Sequence, residues 1–346
     1  MFKKTTKRNV LFCSLLLFVL CVGGIWLRSC AQWHTRPRGH YDIAFNISHK
    51  GDRIVFTAQG QGGRDLYLLD LKTKKVTRVA ETPDYEGDPS FSPDDKSILY
   101  VAGVPGDRAD HIFLRAVDGS WIKQISADDY NDLEPAFSPD GSRIVFTRNH
   151  QYRWGGLSSS WGHDSEVYIV NVDGTPQRRL TNAGYTMHPQ FTPDGKSIVV
   201  TAMTKTFAAD VYQMDIIQGQ LPGQMRKLTK DGTARSSSFS PNGRQILIAT
   251  IHGVFRLMAI DGSDVTQVGT KDLGAEKPVF SPDGKTLFFL SSRGEPIKEN
   301  PSSRTSVGTG LWQIDIDGKN LRRIAGYHLF NNPLTWKPEE STSASE

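Results

Sequence analysis

Hydrophobic and polar residues alternate along most of the chain in short runs that return at intervals of tens of residues. The clearest run is "FTPDGKSIVVTA", which starts at Phe191. Related runs start at Phe91, Phe137, Phe239 and Phe280. A degenerate copy starts at Phe45 and a truncated copy at Trp336. Repeats of this length are typical of folds in which each unit buries its faces against its neighbours.

Each repeat predicts four antiparallel strands. The aromatic residue ends one strand, and Ser/Thr-Pro-Asp-Gly has the composition of a type I turn. An alternating run such as "KSIVV" then predicts a half-buried strand. A third strand such as "EVYIVNV" follows, then a hairpin turn that carries Asp-Gly in four repeats, then a short fourth strand such as "RRLTN".

Six such units predict an all-β fold, a six-bladed β-propeller of four-stranded antiparallel blades. Seven blades are the alternative, because "NNPLTWKP" at 331–338 begins a further copy and then stops. One use for that fragment is an inner strand that joins the two ends of the ring.

The first 40 residues form a different kind of segment. Four basic residues precede an uncharged run from Val10 to Leu27, which predicts an N-terminal hydrophobic helix of about 27 Å. We therefore divide the chain into a signal or signal-anchor segment with a linker (1–40), a propeller (41–338) and a disordered tail (339–346).

Three fates of this leader remain open: retention as a membrane anchor, cleavage after Ala31, or lipidation at Cys30. Each fate predicts that the folded part is extracytoplasmic, either periplasmic or at the cell surface, and secreted if the leader is cleaved. All three cysteines lie in the leader, so the folded part has no disulfide and no cysteine nucleophile.

Charge changes the picture of the partner. The chain has a net charge of +4, but residues 1–40 contain seven Lys and Arg and no acidic residue. The rest of the chain is mildly acidic, which argues against a nucleic-acid partner. The letters "GKS" at 195–197 do not indicate a nucleotide site either. Gln190 stands where a phosphate loop needs glycine, and a strand follows instead of a helix.

The repeats resemble those of the TolB-like β-propellers, also called WD40-like or PD40 repeats. The resemblance is carried by "FSPDGK" with its following strand and by "YIVNVDGTPQRRLT", and it extends over about residues 41–338. It implies a periplasmic interaction protein. The fold alone does not establish that role.

The connections on the two faces of the predicted disc differ. One face carries the short, uniform "SPDG" and "DG" turns. The other, which we call the variable face, carries connections of varied length and chemistry, a pattern typical of a binding face. These connections are the loops 84–88, 128–134, 149–166, 182–188 and 291–310.

Charged residues recur where the innermost strands begin, three positions before the aromatic residue. In the first four repeats they are Asp42, Asp88, Glu134 and His188. Tyrosines recur nearby, at Tyr85, Tyr130 and Tyr185. We interpret this set as a candidate rim of the central channel that binds a partner. Asp88, Glu134 and His188 are candidate ligands for Ca²⁺ or another divalent cation, although no cofactor is predicted. The competing interpretation is that an acid before proline caps its own turn.

The 149–166 loop holds a second candidate site. Tyr152, Arg153, Trp154, Trp161 and His163 include the residue types enriched in binding hot spots. The competing interpretation is that the aromatic rings fold back onto their own blade.

Signatures of catalysis are missing from the sequence, since it contains neither Gly-x-Ser-x-Gly nor His-Glu-x-x-His. We therefore favour a membrane-tethered, extracytoplasmic, non-enzymatic propeller that binds a protein or peptide through the variable face. The alternative is a carbohydrate-binding protein, or a metal-assisted polysaccharide lyase or hydrolase, that uses the rim around His188.

Overall fold

A computed structural model describes residues 43–338 except for 61–62, 81–84, 105–106, 108, 151–163, 205, 207, 217–223, 271–272 and 294–308. The predicted hydrophobic helix at 10–27, Cys30 and the tail at 339–346 lie outside these residues. Within the described ranges, no helix has both the length and the apolar character needed to span a membrane.

The described chain forms 24 strands, which fall into six groups of four. Blade 1 contains β1 (Phe45–Ile47), β2 (Arg53–Gln59), β3 (Arg64–Asp70) and β4 (Val76–Ala80). Blade 2 contains β5 (Glu86–Phe91), β6 (Ser97–Gly103), β7 (Asp110–Ala116) and β8 (Ile122–Gln124). Blade 3 contains β9 (Asn131–Phe137), β10 (Arg143–Asn149), β11 (Ser165–Asn171) and β12 (Arg178–Arg179).

The second half of the chain repeats the arrangement. Blade 4 contains β13 (Thr186–Phe191), β14 (Ser197–Met203), β15 (Ala209–Asp215) and β16 (Met225–Lys227). Blade 5 contains β17 (Ala234–Phe239), β18 (Gln245–Thr250), β19 (Phe255–Ala259) and β20 (Thr266–Val268). Blade 6 contains β21 (Ala275–Phe280), β22 (Thr286–Ser291), β23 (Gly310–Asp315) and β24 (Arg322–Ala325).

Each group is one antiparallel sheet whose strands are hydrogen-bonded in chain order. The first strand of each blade contacts the first strand of the next, and β21 also contacts β1. The first strands therefore form the inner ring of a closed propeller. The prediction of six four-stranded blades is confirmed.

The core lies between the blades. In one layer, Val145 and Ile169 of blade 3 pack against Phe191 and Val200 of blade 4. Similar layers lie between the other neighbouring blades, and most of the apolar side chains in each layer are buried. The sheet faces that cannot be buried within one blade are thus buried by its neighbours.

The Ser-Pro-Asp-Gly turns form as predicted, and side chains hold them. In blade 3, the Ser138 hydroxyl donates to Asp140 Oδ1 (2.5 Å) and accepts the N–H of Arg143 (2.9 Å). The same Asp140 oxygen accepts the N–H of Ser142 (3.0 Å). These bonds, the Ser138 hydroxyl first, lower the pKa of Asp140 to about 2.

Neighbouring turns also touch. A Cβ added to the turn glycine Gly195 or Gly284 would lie within 4 Å of the turn proline of the preceding blade. Blade 2 has Asp95 instead of glycine, at φ +59°. The Asp95 carboxylate is buried and accepts the N–H groups of His49 (2.7 Å) and Lys50 (3.0 Å) in the blade 1 turn.

The C-terminal segment closes the ring as helix and not as a strand. The fragment 331–338, which we considered as an inner strand or as the start of a seventh blade, contains the last residue of a short helix α1 (His328–Asn331) and a 3₁₀ turn (Pro333–Thr335). Leu329 and Phe330 are buried in the core layer shared by blades 1 and 6. The Phe330 ring meets Phe56 edge-on, with 5.7 Å between ring centroids.

The register of blade 1 differs from the repeat alignment. Ile47, and not Phe45, lies opposite Ile54. This is the pairing that Phe91 makes with Ile98 in blade 2. The residue equivalent to Asp88 in blade 1 is therefore Ala44, two positions after Asp42.

Candidate functional site

In four blades the innermost strand carries the same kind of β-bulge near its start, and β17 of blade 5 has a different register shift, between Ala234 and Ser236. In β5, β9, β13 and β21, two residues of the inner strand oppose one residue of its partner. The first bulged residue has a left-handed backbone in each case, with φ between +44° and +54°. These residues are Asp88, Glu134, His188 and Lys277. Each precedes a proline, and three of them are predicted rim residues.

Hydrogen bonds link successive bulges across the blades. Asp88 Oδ2 of blade 2 accepts the N–H of Glu134 in blade 3 (3.3 Å). Glu134 Oε2 of blade 3 accepts the N–H of His188 in blade 4 (2.7 Å). We call this series the rim ladder: Asp88, Glu134 and His188, with Lys277 of blade 6 beside Asp88 (Nζ to Oδ1, 3.8 Å). Each acid thus caps the next blade's bulge, and not its own turn.

Glu134 is the centre of the rim ladder. Its Oε1 lies 2.9 Å from His188 Nδ1, and its Oε2 also accepts the Thr147 hydroxyl (2.8 Å). Burial raises the pKa of Glu134, but the charge and hydrogen bonds of His188 and Thr147 outweigh it and lower the pKa to about 2. Glu134 is therefore a carboxylate at neutral pH.

The rim ladder remains accessible from one side. The side chains of its four members are between 23% and 34% exposed. The ladder also has a gap at blade 5, where Ser236 takes the equivalent position without a left-handed backbone. There Arg235 instead reaches Glu276 of blade 6, with Nη1 to Oε1 at 2.9 Å.

The three predicted tyrosines have different roles. The carbonyls of Tyr85 and Tyr185 accept the N–H groups of Gly103 (3.2 Å) and Met203 (2.9 Å), which extends the pairing of the first two strands. Tyr130 packs by its ring, edge-on to His150 with 4.8 Å between centroids.

Arg148 organises a cluster on blade 3 that sequence reasoning missed. It makes a two-bond contact with Asp132 (2.7 and 2.8 Å) and reaches Asp128 (2.7 Å). Its guanidinium also lies over the rings of Tyr130 (5.6 Å) and Tyr168 (4.7 Å). The signal available in the sequence was Asp128 and Asp132 on either side of Tyr130, but their partner lies a strand away.

The other candidate residues fall outside the part of the chain that the structure describes. They are Asp42 and the loop residues Tyr152, Arg153, Trp154, Trp161 and His163. Within the described ranges, no group of three or more His, Cys, Asp or Glu side chains is placed to hold a metal ion. His188 Nδ1 is instead engaged by Glu134.

The fold and the charged rim together define a six-bladed β-propeller with two unlike faces. The family described as the TolB beta propeller domain, PD40, matches residues 40–253 and 156–340. The chain therefore belongs to the TolB β-propeller family.

Related proteins agree with this assignment. The chain is 25% identical over 246 residues to the Tol-Pal system protein TolB of Francisella tularensis subsp. holarctica strain OSU18, which covers 68% of this chain and 53% of that protein. The chain thus spans about half the length of the curated relatives it matches.

Solved structures share the fold. TolB from Acinetobacter baumannii matches with a TM-score of 0.60 and 21% identity, over 79% of this chain and 63% of that one. A putative TolB from Agrobacterium tumefaciens matches at 0.58 and 21%, over 75% and 88% of the two chains. An oligogalacturonate lyase in complex with manganese matches at 0.57 and 14%, over 81% and 75%. At these identities the likeness shows the fold alone.

Proposed function

We propose that this chain is a non-enzymatic, extracytoplasmic propeller that binds a protein or peptide through its variable face. The observation that carries the proposal is the repeated strained backbone of the rim ladder. Non-glycine residues with a left-handed backbone are uncommon, and such strain concentrates at functional sites. Here it recurs at one inner-strand position in four blades, each time with a charged side chain that is partly exposed, whereas the left-handed residues Lys74, Asp264 and Asn320 of the opposite face lie in hairpin turns.

The contrast between the faces supports this assignment. On the opposite face, the Ser-Pro-Asp-Gly turns use their side-chain acceptors within the turn. On the variable face, the rim ladder leaves about a quarter to a third of each side chain exposed. A partner's charged groups can therefore compete for Asp88 and Lys277, whose mutual contact is long at 3.8 Å.

The leader completes the proposal. The basic start and the uncharged run 10–27 would tether the chain to a membrane and place the propeller outside the cytoplasm. The family relationship is consistent with this location, because relatives carry the name Tol-Pal system protein TolB.

Site-specific photo-crosslinking in the cells of origin tests the choice of face. The full chain carries the crosslinker at Ala183, exposed on the variable face, or at Lys196, exposed on the opposite face. We expect a discrete protein adduct from Ala183 and none from Lys196. Equal adducts from both positions, or none from either, would contradict the proposal.

A second comparison tests the rim within that face. Alanine at Asp88, Glu134 and His188 together should weaken the Ala183 adduct, provided that the variant's circular dichroism spectrum matches that of the parent chain. An undiminished adduct would exclude the rim ladder as the contact while leaving the variable face in place.

A further inference from the structure

The turn of blade 5 contains a chemically distinct dipeptide. Asn242-Gly243 is the only Asn-Gly pair in the sequence. It occupies the turn position that holds aspartate in four other blades, at Asp94, Asp140, Asp194 and Asp283. An Asn-Gly pair is prone to attack of the glycine nitrogen on the asparagine amide, because glycine has no side chain to hinder the approach.

The turn engages both reacting groups in hydrogen bonds. The Gly243 N–H donates to the Ser240 carbonyl (2.8 Å). Asn242 Oδ1 accepts the Ser240 hydroxyl (2.8 Å) and the N–H of Arg244 (3.0 Å). Gly243 has φ +68°, and a Cβ placed there would lie 2.8 Å from Pro193 of blade 4.

We propose that Asn242 is a site of spontaneous deamidation at which the turn restrains the reaction and accepts aspartate as the product. The proposal is independent of the partner-binding function. Asn242 is exposed, so water reaches it. Attack nevertheless requires the turn to open, since the Gly243 nitrogen must leave Ser240 and the Asn242 oxygen must leave both of its donors.

The reaction needs no reagent other than water. The Gly243 nitrogen gives up its proton to solvent and bonds to Asn242 Cγ, the Cγ–Nδ2 bond breaks, and ammonia leaves. Water then opens the cyclic imide. Cleavage of the bond from Cγ to the Gly243 nitrogen gives aspartate, and cleavage of the bond from the main-chain carbonyl carbon to that nitrogen gives isoaspartate.

The two products differ in their fit to the turn. Aspartate keeps the acceptor in place, as in the blade 6 turn, where Asp283 Oδ1 accepts the Ser281 hydroxyl (2.6 Å) and the N–H of Lys285 (3.1 Å). Those bonds, the Ser281 hydroxyl first, lower the pKa of Asp283, and an aspartate at 242 would accept the equivalent bonds from Ser240 and Arg244. Isoaspartate lengthens the main chain by one carbon. We expect that change to displace the hydrogen bond from the Gln245 N–H to the Ser240 hydroxyl (3.0 Å).

Peptide mapping by mass spectrometry in heavy-oxygen water tests the proposal on the full chain. We expect Asn242 to deamidate at least about tenfold more slowly in the folded chain than in denaturant, because local opening must precede the reaction. Asn182, exposed and followed by alanine, is the internal control and should react more slowly than Asn242 in denaturant. Equal rates in both states, or no reaction at Asn242 in denaturant, would overturn the proposal.

The product is tested by substitution. Asn242→Asp should leave the thermal midpoint of the full chain at neutral pH unchanged, whereas Asn242→Ala should lower it because two donors lose their acceptor. If both variants lower the midpoint equally, the turn does not accept aspartate and that half of the proposal is wrong.

Discussion

Glu134 shows how one side chain links two blades. Its carboxylate accepts the His188 N–H and the Thr147 hydroxyl and pairs with the His188 ring. The first and last of these contacts belong to blade 4, whereas Thr147 belongs to its own blade. Loss of this carboxylate leaves donors without an acceptor at a partly buried position, which is costlier than the loss of an exposed ion pair.

Substitution of Glu134 should therefore measure the coupling between blades 3 and 4. We expect Glu134→Ala to lower the free energy of unfolding by about 2 kcal/mol in urea titrations. Glu134→Gln should cost less, because its amide oxygen still accepts a hydrogen bond. Asp129→Ala, an exposed change in the same connection, is the control. An effect of Glu134→Ala no larger than the control would show that the bond stabilises nothing.

The pKa of Glu134 also predicts a pH dependence. The folded pKa of about 2 lies below the usual 4.5, so the unfolded chain binds a proton that the folded chain does not. The stabilisation is fully present above pH 4.5 and is lost as the pH falls towards 2. The unfolding free energy of Glu134→Gln should therefore fall less steeply over this range than that of the parent chain. Parallel curves would contradict the assignment.

At the residue level, sequence reasoning singled out rim residues but could not supply their contacts. Their recurrence three positions before the repeat's aromatic residue singled out Asp88, Glu134 and His188. The capping of the next blade by Asp88 and Glu134 depends on distances between blades, which no local pattern contains. The register of blade 1 could not be read either, because Phe45 is a closer match to the repeat's aromatic than Ile47, which takes that place.

Among the elements, the Ser-Pro-Asp-Gly turn is the most fully encoded by local sequence. Its proline, its serine and aspartate side chains and its glycine each satisfy one requirement of the turn. Blade 5 shows that the aspartate charge is dispensable, since Asn242 makes the same two bonds.

The equivalence of aspartate and asparagine in this turn predicts that two substitutions at Asp140 differ in their effect on stability. We expect Asp140→Asn to change the urea midpoint at neutral pH little, and Asp140→Ala to lower the unfolding free energy by about 1 kcal/mol. The alanine leaves the Ser138 hydroxyl and the Ser142 N–H without their acceptor. Equal losses in the two variants would show that charge, and not the hydrogen bonds, holds the turn.

Five of the six fourth strands are shorter than their alternating pattern predicts. In blade 3, "RRLTN" suggested five strand residues, but β12 contains only Arg178 and Arg179. The Thr181 hydroxyl accepts the N–H of Val167 (2.9 Å) and so takes the place of a main-chain acceptor. It also donates to the buried carboxylate of Glu166. A pattern of polar and apolar positions does not show that a side-chain hydrogen bond replaces a main-chain one.

For the whole molecule, we expect the last helix to stabilise the closed ring, because Leu329 and Phe330 lie in the core layer shared by blades 1 and 6. Phe330 is 3% exposed, whereas Leu334, four residues later, is 54% exposed. We expect Phe330→Ala to lower the unfolding free energy by about 4 kcal/mol, because it leaves a cavity between blades 1 and 6. Leu334→Ala should change it by less than about 0.5 kcal/mol. Similar effects in calorimetry or denaturant titration would mean that α1 does not hold the ring closed.

The number of blades and the four strands in each could be predicted because the repeat occurs six times in the sequence. The helix that closes the ring could not, because α1 has only four residues and no helical stripe can show in so short a segment. The segment 331–338, which begins with the last residue of α1, resembles the start of another repeat. Only the core layer shared by blades 1 and 6, which buries Leu329 and Phe330, decides between the two outcomes.

The rim ladder has a direction, because each carboxylate belongs to one blade and the N–H that it caps belongs to the blade that follows. Because the blades differ in the residue at the capping position, one blade cannot replace another without a change in these hydrogen bonds. A chimera with blades 3 and 5 exchanged would keep the common turn and strand pattern. It would nevertheless put Ser236 in the blade after Asp88 and Glu134 in the blade before Lys277. The His188 N–H would then follow Ser236 and would lose the carboxylate that accepts its hydrogen bond. The order of the blades around the ring is therefore a requirement of the rim ladder.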